Sequence, residues 1–237
     1  MNKIIMIFIL LVTSTVFAQN TRIPDFNNSK KILKKFPIFN EETLYCGCKI
    51  INTKYVDKES CGYVPPSNSS RGGKVEWEHV VPASALSEGI AYNKSICGKK
   101  SKRSCLEQND PEYARRTADL YNLYAEDGLV NMLRSDKPQE ELSSSDKSFG
   151  KCDIKIGKHG FTPRKEAKGI VARTYLYMDK AYPTAHLISN KNRKLYEAWN
   201  KMYPVSKKEC ERAKFIENLQ NNENSFVKKP CQEKGLW

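Results

Sequence analysis

The sequence predicts an α+β chain: a few short strands in its first third, then a largely helical remainder, the whole tied by disulfides. Three observations predict this. Residues 75–81 form a β-prone run (Val-Glu-Trp-Glu-His-Val-Val) bounded by Gly72-Gly73 and Pro82. Residues 165–182 and 190–203 space their apolar side chains at helical intervals, through Ile170, Val171, Tyr175, Leu176 and Met178, then Leu195, Tyr196, Trp199 and Met202. Eight cysteines (Cys46, Cys48, Cys61, Cys97, Cys105, Cys152, Cys210 and Cys231) occur without a Cys-x-x-Cys, which favours disulfides over a structural zinc.

Taken in order, residues 27–36 predict a polar-basic helix stopped by Pro37. Residues 41–45 and 49–55 read as short strands, 65–73 as a turn-rich loop, and 75–81 as the principal strand. Residues 87–109 are read as a long irregular segment rich in Lys and Gly, a length that usually signals function. Asp110-Pro111 supplies an N-cap and a first-turn proline for a helix reaching Leu120 and Leu123, with a break near Asp119. Residues 137–147 read as a surface loop. Ser206 and Glu209 form a capping box opening a last helix. The strands are thus expected before Pro82. Tyr175, Tyr177, Trp199 and Tyr203 fall at packing intervals and are read as core, not as base-stacking platforms. Short loops favour Cys97–Cys105 and Cys210–Cys231, leaving Cys46, Cys48, Cys61 and Cys152 to pair among themselves.

Residues 1–18 have the make-up of a secretory signal: Lys3, an apolar run, and Val16-Phe17-Ala18 as a cleavage site. The expected product is exported, periplasmic or secreted, with residues 19–237 as one domain, no membrane anchor and a monomeric state. The formal net charge is +13. Such an excess suits a polyanionic partner, DNA first and RNA as well. A membrane-surface role would require an amphipathic basic helix, and none stands out.

Glu78-His79 is the chemically loaded pair, one of only three histidines beside a carboxylate in an apolar run. Alone, it reads as a hydrogen-bonded strand end or as a base next to a metal ligand. Phosphodiester cleavage needs a base of near-neutral pKa and a cation on phosphate, and a hard ion such as Mg2+ needs only one or two protein oxygens.

Several long motifs in order carry a resemblance. They are Glu76-Trp77-Glu78-His79-Val80-Val81-Pro82-Ala83, Asp119-Leu120-x-Asn122-Leu123, Ala172 to Met178 (ARTYLYM), and Glu197-Ala198-Trp199-Asn200-Lys201-x-Tyr203-Pro204-Val205. Tyr45-Cys46-Gly47-Cys48 and Glu209-Cys210-Glu211-Arg212 also fit. Together they resemble the bacterial endonuclease I family of non-specific DNases over nearly the whole mature chain. The resemblance implies a ββα-metal (His-Me finger) core, Mg2+ or another divalent cation as cofactor, and DNA as substrate. It implies His79 as general base, assisted by Glu78, and Glu78 with Asn122 as metal ligands. Lys102 and Arg103 stand where the family places a phosphate-steadying arginine, and Asn131 and Arg134 are expected to contact DNA. Because neighbours on a strand face opposite ways, Glu78 and His79 can share a site only if the strand ends there, as Pro82 allows.

Two departures bear on activity. Tyr121 replaces the family's histidine, and Gly128-Leu129-Val130-Asn131-Met132-Leu133-Arg134 keeps only the Gly, Val, Asn and Arg of Gly-Glu-Val-Asn-Gly-Asp-Arg. The alternative is therefore a weak or inactive nucleic-acid-binding descendant.

Overall fold

The protein is described by a computed structural model covering residues 19–92 and 94–237. The signal segment expected over residues 1–18 lies outside the described residues. Helix α1 (Phe26–Lys35) is capped by Asp25, whose carboxylate accepts from the Asn28 N–H at 2.9 Å. It ends where Phe36 turns extended before Pro37. Ser29 and Leu33 are its buried residues, and the Ser29 hydroxyl donates to the Ala118 carbonyl at 2.6 Å. Here the structure corrects the reading: α1 is an amphipathic basic helix, but its apolar side is packed against the protein.

The expected strand over 49–55 is a hairpin, β1 (Lys49–Ile51) and β2 (Tyr55–Asp57), turning through Asn52 and Thr53. The expected strand over 41–45 is reduced to a single bridge between Glu42 and Lys49. Strand β3 (Val75–His79) pairs antiparallel with β4 (Leu123–Asp127), His79 facing Leu123 and Val75 facing Asp127. A strand beyond Pro82 was not anticipated.

The segment between them is not irregular either. It contains α2 (Lys94–Cys97), α3 (Lys102–Asn109) and α4 (Pro111–Thr117). Helix α3 buries only Cys105 and Leu106, so it carries little apolar periodicity to read; the Ser101 hydroxyl caps it and the Cys97–Cys105 disulfide staples it. The helix predicted to reach Leu123 stops at Thr117. There the buried Asp119 carboxylate gathers the Tyr121 N–H, the Tyr177 and Tyr182 hydroxyls and the Gln220 amide. A 3-10 turn over Leu120–Asn122 then leads into β4. Helix α5 (Gly128–Arg134) follows at once, capped by Asp127 on the Leu129 and Val130 N–H groups.

A small hairpin, β5 (Lys155–Ile156) and β6 (Phe161–Thr162), precedes α6 (Lys165–Ala181), α7 (Asn190–Met202), α8 (Lys207–Gln220) and α9 (Ser225–Glu233). Helix α6 is buried along most of its length and holds the buried Arg173–Glu209 ion pair with α8. Tyr175, Tyr177 and Trp199 are core, with Tyr203 packed against them. Ser206 caps α8 through the Glu209 N–H, but α8 is not the last helix; Cys210–Cys231 ties it to α9. The remaining cysteines form Cys46–Cys152 and Cys48–Cys61. No helix among the described residues is long and apolar enough to cross a membrane.

Candidate active site

The site forms where β3 ends. The Val80 N–H donates to the Asn122 carbonyl, and the Asn122 amide clamps the Val81 backbone, accepting from its N–H at 2.7 Å and donating to its carbonyl at 3.0 Å. The ladder stops there, and Glu78 and His79, adjacent in sequence, both line one cleft of ≈ 750 Å³. The strand therefore terminates at His79, as the alternation argument required.

Glu78 is 2 % exposed. Its Oε1 accepts from the Tyr45 hydroxyl at 2.9 Å and from Arg134 Nη1 at 2.8 Å. Among the described residues no hydrogen bond falls on Oε2. Burial pushes the Glu78 carboxyl above its ordinary range, while Arg134 and Tyr45 pull it back down. Arg134 also donates to the His79 and Val80 carbonyls, so one buried guanidinium locks the carboxylate and the strand end together.

His79 Nε2 lies 2.9 Å from the Thr117 carbonyl. A carbonyl only accepts, so Nε2 carries the hydrogen and the lone pair of the neutral ring sits on Nδ1. The Phe26 ring packs against the imidazole, centroids 4.6 Å apart. Burial, and then the charge of Arg103, lowers the His79 pKa to about 3. The ring is neutral at pH 7 and so free to accept a proton, while the same burial leaves it a weaker base than the near-neutral group this chemistry favours.

Glu76, two residues before Glu78 and on the same strand face, also lines the cleft. It accepts from Asn131 Nδ2 at 2.9 Å and forms a two-point ion pair with Arg71. Asn131 stands on α5 and opens on the cleft, and among the described residues its Oδ1 has no hydrogen bond.

The other expected site residues sit differently. Asn122 is fully buried, spends both ends of its amide on Val81 and is not among the residues that line the cleft. Arg134 borders the cleft but is fully buried, its guanidinium bound to Glu78 and to the His79 and Val80 carbonyls. Lys102 is exposed at the start of α3, outside the cleft, whereas Arg103 lines it, 2.9 Å from Glu107 and over the Phe26 ring. The departures at 121, 129 and 133 also lie outside the cleft. The Tyr121 hydroxyl bonds the Ala213 and Asn222 carbonyls, Leu129 is fully buried and Leu133 packs on the core. Only Met132 faces the cleft.

Tyr45, Phe26, Lys30, Lys34, Arg71 and Glu76 are site residues that sequence reasoning missed. Tyr45 stood inside a quoted motif, Glu76 at strand spacing from Glu78, and Phe26, Lys30 and Lys34 at helical spacing from one another.

Among the described residues no cluster of three or more His, Cys, Asp or Glu could hold a metal. Glu78 Oε2 and Asn131 Oδ1 are two hard oxygens in one cleft with no partner among the described residues. That donor set fits an ion that binds few protein oxygens and keeps its waters.

The endonuclease I family model matches residues 25–231. Endonuclease-1 of Buchnera aphidicola (subsp. Acyrthosiphon pisum, strain APS) is 36% identical over 217 residues, covering 90% of this chain and 84% of the relative. An extracellular deoxyribonuclease of Aeromonas hydrophila is 34% identical, covering 94% of this chain and 95% of its own length. A periplasmic deoxyribonuclease of the same species is 33% identical, at 94% and 92%. With that match over most of its length, the chain belongs to the endonuclease I family.

Proposed function

We propose that this chain is an exported, divalent-cation-dependent endonuclease that hydrolyses DNA phosphodiester bonds, with His79 as general base. The observation that carries the reading is the His79 ring itself. It is buried and neutral, tied through Nε2 to Thr117, and has Nδ1 left to take a proton in a cleft that holds Glu78 and Asn131. The names of the relatives, deoxyribonucleases of periplasmic and extracellular kind, support substrate and location.

In this reading His79 Nδ1 removes a proton from water as the oxygen bonds to phosphorus and the P–O bond to the leaving oxygen breaks. Glu78 and Asn131 would hold the cation through Oε2 and Oδ1. Bound there, a cation such as Mg2+ would offset the charge that builds on phosphate and on the leaving oxygen. Tyr45 and Arg134 keep Glu78 in one orientation, and Arg103 offers positive charge to phosphate at the rim. The β3–β4–α5 succession would then be the ββα core, entered by β3, which ends at the base, and closed by the helix that bears Asn131. Every group comes from one chain, so a monomer suffices.

A plasmid-nicking assay tests this directly. Wild type should convert supercoiled DNA to nicked and linear forms, stop on chelation and resume on Mg2+ addition; an RNA substrate in parallel reports how far activity extends. His79→Ala should lose ~10²–10⁴ in rate, the usual worth of a general base, while still binding DNA. Cleavage by that variant at the wild-type rate would refute the assignment.

A further inference from the structure

Helix α1 sends three side chains into the active cleft. Phe26, Lys30 and Lys34 all line it, spaced i, i+4, i+8 along one helix face, while Ser29 and Leu33 are buried against the body of the protein. Two contacts fix the helix there. The Ser29 hydroxyl holds the Ala118 carbonyl at the C-terminal end of α4, one residue from the Thr117 carbonyl that holds His79, and the Phe26 ring packs on His79 itself. The wall bearing the lysines is therefore in register with the reacting centre.

The other cationic groups of the cleft have carboxylate partners: Arg71 has Glu76, Arg103 has Glu107 and Arg134 has Glu78. Among the described residues Lys30 and Lys34 have no ion pair and no hydrogen bond, and Lys30 only overhangs the Phe26 ring. The ten residues of α1 contain four lysines and no acid. Two ammonium groups left uncompensated at a catalytic cleft, where a carboxylate could have stood, match an anion that arrives from outside. One helical turn separates them by about 6 Å along the axis. They are thus set to follow a row of charges, not to converge on one.

We propose that Lys30 and Lys34 form a phosphate subsite on the α1 wall, which binds the sugar-phosphate backbone of the nucleic acid on one side of the bond being cut. The inference rests on the endonuclease reading and adds a binding wall that the β3–β4–α5 site does not supply. Lysine ammonium groups are point charges without a directed fork, so this subsite reads charge and not base sequence.

The test measures binding without cleavage. In the His79→Ala background, with chelator present, the dissociation constant for a short fluorescent duplex is measured by anisotropy at several salt concentrations. Lys30→Gln and Lys34→Gln should each weaken binding and reduce the slope of log affinity against log salt by about 0.9, the value per phosphate contact on duplex DNA. The double change should reduce it by about twice that. Lys30→Arg with Lys34→Arg should keep the parent slope, and Lys214→Gln, an exposed α8 lysine outside the cleft, should leave it unchanged. With catalysis intact, the double glutamine variant should raise KM and leave kcat nearly as it was. Affinity and slope unchanged in that variant, beside a parent that binds with steep salt dependence, would overturn the α1 subsite alone. A parent that does not bind DNA would overturn the endonuclease reading beneath it.

Discussion

Asn131 donates its amide NH2 to Glu76 Oε2 at 2.9 Å, and Arg71 grips Glu76 by both oxygens. An ionised carboxylate only accepts, so this contact fixes which end of the Asn131 amide faces β3 and turns Oδ1 the other way. Outer partners that orient a ligand in this manner typically change metal affinity by 10–100-fold when lost. Glu76→Gln can donate to Asn131 Oδ1 and so permits the flipped amide. The variant should need a higher Mg2+ concentration for half-maximal cleavage, and calorimetric titration should show weaker cation binding. An unchanged binding isotherm would mean that Glu76 does not set the orientation.

The two asparagines should separate cleanly. Asn131→Ala removes an oxygen facing the cleft. It should shift the Mg2+ titration midpoint upward while the melting temperature stays close to wild type. Asn122→Ala instead leaves the Val81 N–H and carbonyl without their partner in a fully buried place, at about 1–3 kcal/mol for each unsatisfied group. It should melt earlier yet keep the wild-type midpoint in its folded fraction. The reverse pattern would restore Asn122 as the ligand.

Phe26 supports the imidazole from the α1 side. Lys30 and Arg103 also lie over its ring. Phe26→Ala should lower kcat by less than the ~10²–10⁴ expected for losing the base itself. KM should change little, and Phe26→Leu should recover part of the rate because an apolar wall remains. A raised KM with unchanged kcat would make Phe26 a substrate contact and not a support for His79.

How much of this was legible varies by residue, for physical reasons. Glu78 and His79 were legible because they stand in one of several long motifs in order, although the pair alone reads as readily as a hydrogen-bonded strand end; α6 and α7 were legible because burial imposes a 3.6 period on their side chains. Strand β4 was not, since Leu-Tyr-Ala-Glu-Asp has no clean alternation: Glu126 and Asp127 are buried through hydrogen bonds to backbone N–H groups, not through apolar character. The resemblance points to Asn122, on an expected helix through Leu123, whereas Asn131 is the asparagine that lines the cleft. The Asp119 knot of tyrosine and glutamine partners, drawn from α6, Tyr182 and α8, ends that helix early. Such a contact lies ~60–100 residues away in sequence and leaves no local trace.

The disulfides should differ in what their loss does. Loop-closure entropy makes a bridge worth about 4.7 kcal/mol for a closed loop of roughly 100 residues and about 3 kcal/mol for 15. Cys46–Cys152 spans 106 residues and Cys97–Cys105 only 8. Replacing the first pair by serine should therefore cost more stability than replacing the second, as read by denaturant midpoint. The first also touches the chemistry. Cys46 follows Tyr45, whose N–H is held by Glu126 at 2.6 Å and whose hydroxyl holds Glu78. Releasing Cys46 loosens that support, so the folded fraction of the Cys46→Ser/Cys152→Ser variant should require more Mg2+ for half-maximal cleavage. Cys97→Ser/Cys105→Ser frees α3, which bears Arg103 at the cleft, and should act on KM with the Mg2+ midpoint unmoved. Identical losses in both variants, in stability and in kinetics, would show that neither bridge communicates with the site and that the disulfides serve the fold alone.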